Sequence, residues 1–119
     1  MEFNAAAPIW MQVATCIKTD MVTGRLSPGD KLPGGRDLAL TYTINPNTAA
    51  RVYQELEKEG LVETRRGMGT YVTASADKIA ALRVAMARTA VTDYLNRMTA
   101  LGFTRPEAIH LIDKEETTC

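Results

Sequence analysis

Between Arg36 and Gly60 the chain reads as two helices with only Thr43-Ile44 between them, and so short a connection leaves few ways to fold. The first spans Arg36 to Tyr42, with Leu38 and Ala39 inward and Gly34 or Gly35 at its N-cap. The second opens at Asn45-Pro46 and runs to Glu59, stopping at Gly60. Asn suits the N-cap because its side chain can accept from the first free N–H groups, and a proline in the first turn loses no bond. Two helices joined by so short a turn make helix-turn-helix geometry. Helical spacing divides the second helix into an apolar side (Ala49, Val52, Tyr53, Leu56) and a side of Asn47, Thr48, Ala50, Arg51 and Gln54. That second side is small, polar and rich in hydrogen-bonding groups.

The flanking segments complete a known architecture. Residues 8–24 read as a helix: Pro8 suits its first turn, Ile9, Val13, Ile17 and Met21 recur at i+4 beside Trp10 and Ala14, and Gly24 supplies a left-handed stop. Ser27-Pro28-Gly29-Asp30 carries the type II turn signature, flanked by Leu26 and Leu32. Residues 61–66 and 70–73 read as a β-hairpin reversed at Gly67-Met68-Gly69, with Arg65 and Arg66 at its tip. Helices followed by such a hairpin form a winged helix-turn-helix over residues 1–75. A long helix is expected from Asp77 to Leu101, ended by Gly102. Thr104-Arg105-Pro106-Glu107 then forms a capping box that opens a last helix to about Glu115. The fold class is therefore α+β, a winged helix-turn-helix followed by an α-helical hairpin over 76–119. Ile79, Leu82, Met86, Tyr94, Met98, Leu101, Ile109 and Ile112 are more apolar side chains than one winged helix can cover, so this segment is expected to make a homodimer, with Leu82, Met86, Tyr94, Met98, Leu101, Ile109 and Ile112 at its interface.

Composition removes several function classes. A length of 119 residues suits one domain with a small appendage, and no apolar run approaches a membrane span. The start Met1-Glu2-Phe3-Asn4 lacks the basic, then apolar, pattern of a signal peptide, so a cytoplasmic location is expected. Cys16 is expected in the core, and with Cys119 it makes no disulfide framework. His110 is the single histidine, and no phosphate-binding glycine loop or nucleophile elbow occurs, so neither metal, cofactor nor enzymatic activity is expected.

The 14 basic and 14 acidic residues cancel overall, but they are not evenly spread. Residues 45–54 hold Arg51 and no acid, and residues 64–73 hold Arg65 and Arg66 and no acid. Singly, each group reads as an ordinary solvated surface, and Arg36 could pair with Asp37 or Glu55. Together they occupy the two places a winged helix offers to a nucleic acid. A local surplus of positive charge is what phosphate binding requires.

Four stretches strengthen this reading: Pro8-Ile9-Trp10-x-Gln12; Gly24-x-Leu26-x-Pro28-Gly29-x-x-Leu32-Pro33-x-x-Arg36-x-Leu38-Ala39; Tyr53-x-x-Leu56-x-x-Glu59-Gly60-Leu61; and Gly67-x-Gly69-Thr70-Tyr71-Val72. Over residues 8–73 the chain resembles the DNA-binding domain of GntR-family bacterial transcription regulators. With Asn45-Pro46-Asn47-Thr48 and a short segment after the wing, it is similar to the YtrA-like subfamily. The resemblance implies a dimeric repressor of a transporter-type operon that binds an inverted-repeat operator in double-stranded DNA, with no effector identified. It places Arg36 on a phosphate or guanine edge. Asn45, Asn47 and Thr48 fall at the start of the recognition helix, and Arg66 and Gly67 where the wing tip enters the minor groove; Arg65 and Gly69, read from the hairpin tip, are expected to bind DNA beside them. Two departures stand out. Gly34 replaces the usual serine cap, and Pro46 and Ala50 stand where many relatives carry arginine, leaving Arg51 as the substitute. The rival reading is a winged-helix module for protein or RNA interaction without operator specificity.

Overall fold

A computed structural model describes residues 7–115; Met1-Glu2-Phe3-Asn4 and Cys119 lie outside them. The element order is α1 (Ile9–Val22), α2 (Gly35–Tyr42), α3 (Pro46–Lys58), β1 (Val62–Arg65), β2 (Gly69–Val72), α4 (Ala76–Ala100) and α5 (Arg105–Lys114). This is the expected α+β order, with boundaries displaced by a residue or two. Pro8 is the N-cap of α1 rather than part of its first turn, and Gly34 caps α2 with no side-chain hydrogen bond.

Caps explain where the helices around the turn begin and end. Asn45 Oδ1 accepts from the Asn47 N–H at 2.7 Å, and Pro46 follows as the first helical residue. At the end of α3, Gly60 adopts φ 75°, the Leu61 N–H donates to Leu56 O at 3.0 Å, and the Gly60 N–H donates to Glu57 O at 2.9 Å. These are the two bonds of a Schellman motif. The same motif ends α2, where Ile44 N–H donates to Ala39 O at 2.9 Å, but there the left-handed position is filled by Thr43 at φ 53°. A β-branched residue is uncommon in that conformation. The closed turn requires it, and the chain has no glycine there.

Packing follows the predicted stripes. Val13, Ile17, Leu38, Val52, Leu56 and Val72 are among the buried side chains that join α1, α2, α3 and the hairpin in one core, with Trp10, Ile44, Ile79 and Leu82 packed partly against it. Cys16, expected in the core, is instead half-buried, because it sits at the edge of the α1 stripe; burial and nearby Asp20 raise its thiol pKa. Lys18 pairs with Glu59 at 2.9 Å, tying α1 to the end of α3. The buried Tyr53 donates its hydroxyl to Pro33 O, which anchors the segment just before α2, and burial raises its pKa. Tyr53→Phe removes that donor and strands a carbonyl. It is expected to cost about 1 kcal/mol in a urea melt with an unchanged m-value.

The hairpin pairs antiparallel in the register Val62↔Val72, Glu63↔Tyr71, Thr64↔Thr70 and Arg65↔Gly69. Residues 30–32 run along its other edge: Lys31 bridges Tyr71, Leu32 N–H donates to Thr70 O and Val72 N–H donates to Asp30 O, both at 2.8 Å. The turn Ser27–Asp30, closed by Gly29 at φ 83°, delivers this edge.

The chain divides into two compact units between Leu82 and Arg83. The first therefore extends seven residues beyond the expected boundary at 75, because Ile79 and Leu82 pack against the winged-helix core. Leu82, expected from its spacing to serve dimerisation, packs partly against this core. In the second unit Gly102 at φ 90° ends α4 with another Schellman pair, and Thr104 and Glu107 form the expected capping box (2.9 and 3.3 Å). Hydrogen bonding of the Glu107 carboxylate to the Thr104 backbone N–H, and to the Thr104 side chain, lowers the Glu107 pKa. Tyr94 donates to Ala108 O at 2.7 Å, closing α5 onto α4. Among the described residues of this unit Ala108 alone is buried, while Val84, Val91, Leu101, Phe103, Ile109 and Ile112 are exposed and Met86 and Met98 are half-exposed.

Candidate nucleic-acid interface

The exposed side of α3 carries Asn47, Ala50, Arg51 and Gln54, with Asn45 at the cap and Thr48 half-buried at its edge. The acids of α3 are confined to its last turns and have local partners. Glu55 pairs with Lys58 at 3.3 Å, Glu59 with Lys18, and Glu57 accepts from Thr64 at 2.8 Å. The beginning of the helix thus keeps the positive end of its dipole and Arg51, with no carboxylate of a described residue paired there. Arg51 does not extend freely: its guanidinium lies over the Trp10 ring, 4.6 Å from the centroid.

The arginines of the other elements divide into two kinds. Arg36, in the first turn of α2, is exposed and makes no ion pair with any described residue, so the alternatives Asp37 and Glu55 are not its partners. Arg66, in the hairpin turn, is likewise exposed and unpaired among the described residues. Arg65 is held: its guanidinium meets Glu63 at 3.0 Å and stacks on Tyr71 at 4.2 Å. Glu63 falls just outside the acid-free window 64–73, yet i and i+2 share a strand face, so the local surplus of the wing is smaller than the count within that window suggests.

Glycine lets the wing turn tightly. Gly67 has φ 74° and Gly69 φ 120°, and a Cβ at Gly69 would stand 3.1 Å from Lys31 Cε. Lys31 therefore lies along the wing, a cation that reading the sequence missed. Its signal was present in the extended residues flanking Leu32, which paired with β2 rather than merely anchoring the turn. No cluster of metal-ligating side chains occurs among the described residues, and no helix there is long and apolar enough to cross a membrane.

A capped helix start with an acid-free polar face, beside a glycine-flanked basic hairpin, defines a winged-helix DNA-binding protein. Residues 11–72 match the family described as bacterial regulatory proteins, gntR family. The chain is 38% identical over 108 residues to the uncharacterized HTH-type transcriptional regulator YhcF of Bacillus subtilis (strain 168), covering 91% of this chain and 89% of that one. It is 44% identical over 73 residues to the HTH-type transcriptional repressor YtrA of the same organism, covering 61% and 56%. A solved GntR family transcriptional regulator from Listeria monocytogenes superposes with a TM-score of 0.85 at 34% identity, over 96% of this chain and all of that one. The chain belongs to the GntR family. It is a DNA-binding transcriptional regulator, and the family is not one of enzymes.

Proposed function

We propose that the protein acts as a homodimeric repressor on an inverted-repeat operator, in an operon of transporter type. The observation that carries this reading is the exposed start of α3, Asn-capped and free of acid, next to the unpaired Arg66 on a glycine-flanked wing. Asn47 and Arg51 face base edges in the major groove, where asparagine reads adenine and arginine reads guanine with paired hydrogen bonds. Asn45 and Thr48 support the helix start. Arg36, Arg65, Arg66 and Lys31 meet phosphates, with Gly67 and Gly69 letting the wing backbone approach the minor groove. Repression is supported by the likeness to YtrA, named a repressor. Dimerisation is supported by the exposed Leu101, Ile109 and Ile112 of the second unit, together with Met86 and Met98. The working compartment is the cytoplasm.

Titration of duplex from the protein's own promoter against random duplex, across a salt series, tests this. Tighter binding to the promoter duplex with a steep salt slope is expected; equal binding to both would leave an interaction module without operator specificity. Arg66→Ala is expected to weaken all duplexes about equally and to lower the salt slope by about one unit. A changed base preference with undiminished general affinity would overturn that assignment.

A further inference from the structure

We propose that Trp10 is a positioning residue for sequence recognition: its indole face holds the Arg51 guanidinium, so that a residue of α1 sets which base pairs the start of α3 prefers. The proposal rests on the reading that Arg51 contacts base edges. Arg51 is the one cation between Asn45 and Gln54. The usual partner for such a residue is a carboxylate one turn on, and Glu55 stands at that i+4 position. Yet Glu55 pairs with Lys58 at 3.3 Å, while Arg51 lies 4.6 Å from the Trp10 centroid.

The difference matters chemically. A carboxylate would occupy the N–H edge of the guanidinium and cancel its charge. An indole takes only the planar face, leaving the charge and the edge donors intact. That edge donates to no described residue. Paired recognition of guanine uses the same edge. Trp10 can serve as a fixed platform because it is half-buried against the core beside α3. Arg36 and Arg66 have no such platform among the described residues and suit phosphates, whose position along the duplex carries no sequence information.

The test uses the full chain with Trp10→Phe, Trp10→Leu, Arg51→Ala and the Trp10→Leu/Arg51→Ala double variant. Each is titrated against the operator and a panel of single base-pair substitutions, at a temperature where circular dichroism shows all of them folded. Arg51→Ala should erase preference at one or two adjacent base pairs. Trp10→Leu should reduce discrimination at those same pairs by about three- to tenfold, Trp10→Phe by less, and the double variant should lose no more than Arg51→Ala alone. The salt slope of the Trp10 variants should not change, since the charge remains. Trp10 is the single tryptophan, so its emission in the free protein should shift in Arg51→Ala.

Equal weakening of all duplexes by Trp10→Leu, additive losses in the double variant, or unshifted emission would each overturn the proposal. If Arg51→Ala relaxes base preference and Trp10→Leu does not, the proposal falls alone. If Arg51→Ala leaves base preference unchanged, the base-reading role of Arg51 falls first and takes the proposal with it.

Discussion

A chain ending at Leu82 is expected to stay folded, to sediment as a monomer, and to bind the full operator at least about a hundredfold more weakly than the intact protein. The cut belongs after Leu82 because Ile79 and Leu82 pack against the winged-helix core, and removal of residues 76–119 would strip that cover away. What is lost beyond Arg83 is a unit whose described residues bury Ala108 alone and expose Leu101 at 72%, Ile112 at 55% and Ile109 at 47%. So small an apolar core does not hold a helical pair together against the entropy of ordering it. In the proposed function a second copy supplies the missing cover, a two-fold dimer being the commonest arrangement that does so. Dimerisation makes binding of the second half-site intramolecular, a gain of about 10²–10⁴ in affinity without any new contact to DNA. The half-sites should then lie about one helical turn, roughly 10 bp, or a multiple of it apart. The control is a duplex carrying a single half-site, where intact and shortened chains should bind within a few-fold of each other. An intact chain that is monomeric at micromolar concentration, or a shortened chain that binds the full operator as tightly, would show that residues 83–119 do not serve dimerisation.

Features fixed by one residue's own chemistry were legible in the sequence, and those that depend on a distant partner were not. Gly24, Gly60 and Gly102 end their helices at positive φ as expected, because glycine adopts that backbone without a Cβ clash. Asn45-Pro46 and the Thr104–Glu107 box begin theirs, because each carries its capping group within three residues. Thr43 gave no signal of its left-handed conformation; the closed Schellman turn imposes it on a residue type that disfavours it. Periodicity placed Leu82 on a stripe but could not say whether the stripe met another copy or the chain's own core. The candidate site divides in the same way. The exposure of Asn47 and Arg66 was readable from local composition, whereas the stack of Arg51 on Trp10 joins residues far apart in sequence and appears only once α1 and α3 pack. The Arg65–Glu63 pair was readable too, had strand periodicity been applied across the edge of the acid-free window.

Asn47→Ala is expected to cost about 1–3 kcal/mol on the operator while leaving binding to random duplex nearly unchanged. Asn47 is exposed at the second residue of α3, and its backbone N–H is already satisfied by Asn45 Oδ1 at 2.7 Å. Its side-chain amide makes no hydrogen bond to any described residue, so both its donor and its acceptor remain to meet the N7 and N6 groups of adenine. Alanine is a better helix former than asparagine, so the substitution should not destabilise α3, and lost affinity cannot be assigned to unfolding. Asn45→Ala makes the contrast. Removing that cap should lower stability by about 1 kcal/mol and weaken every duplex together, because the whole helix start loosens. The salt slope separates the two effects further: Asn47 carries no charge and displaces no counterion, so its loss should shift the operator curve without changing its slope. Titrations of operator, of single base-pair variants and of random duplex at several salt concentrations decide the matter. A loss shared equally by random duplex would reduce Asn47 to a residue that positions the helix, and direct readout would then have to come from Arg51.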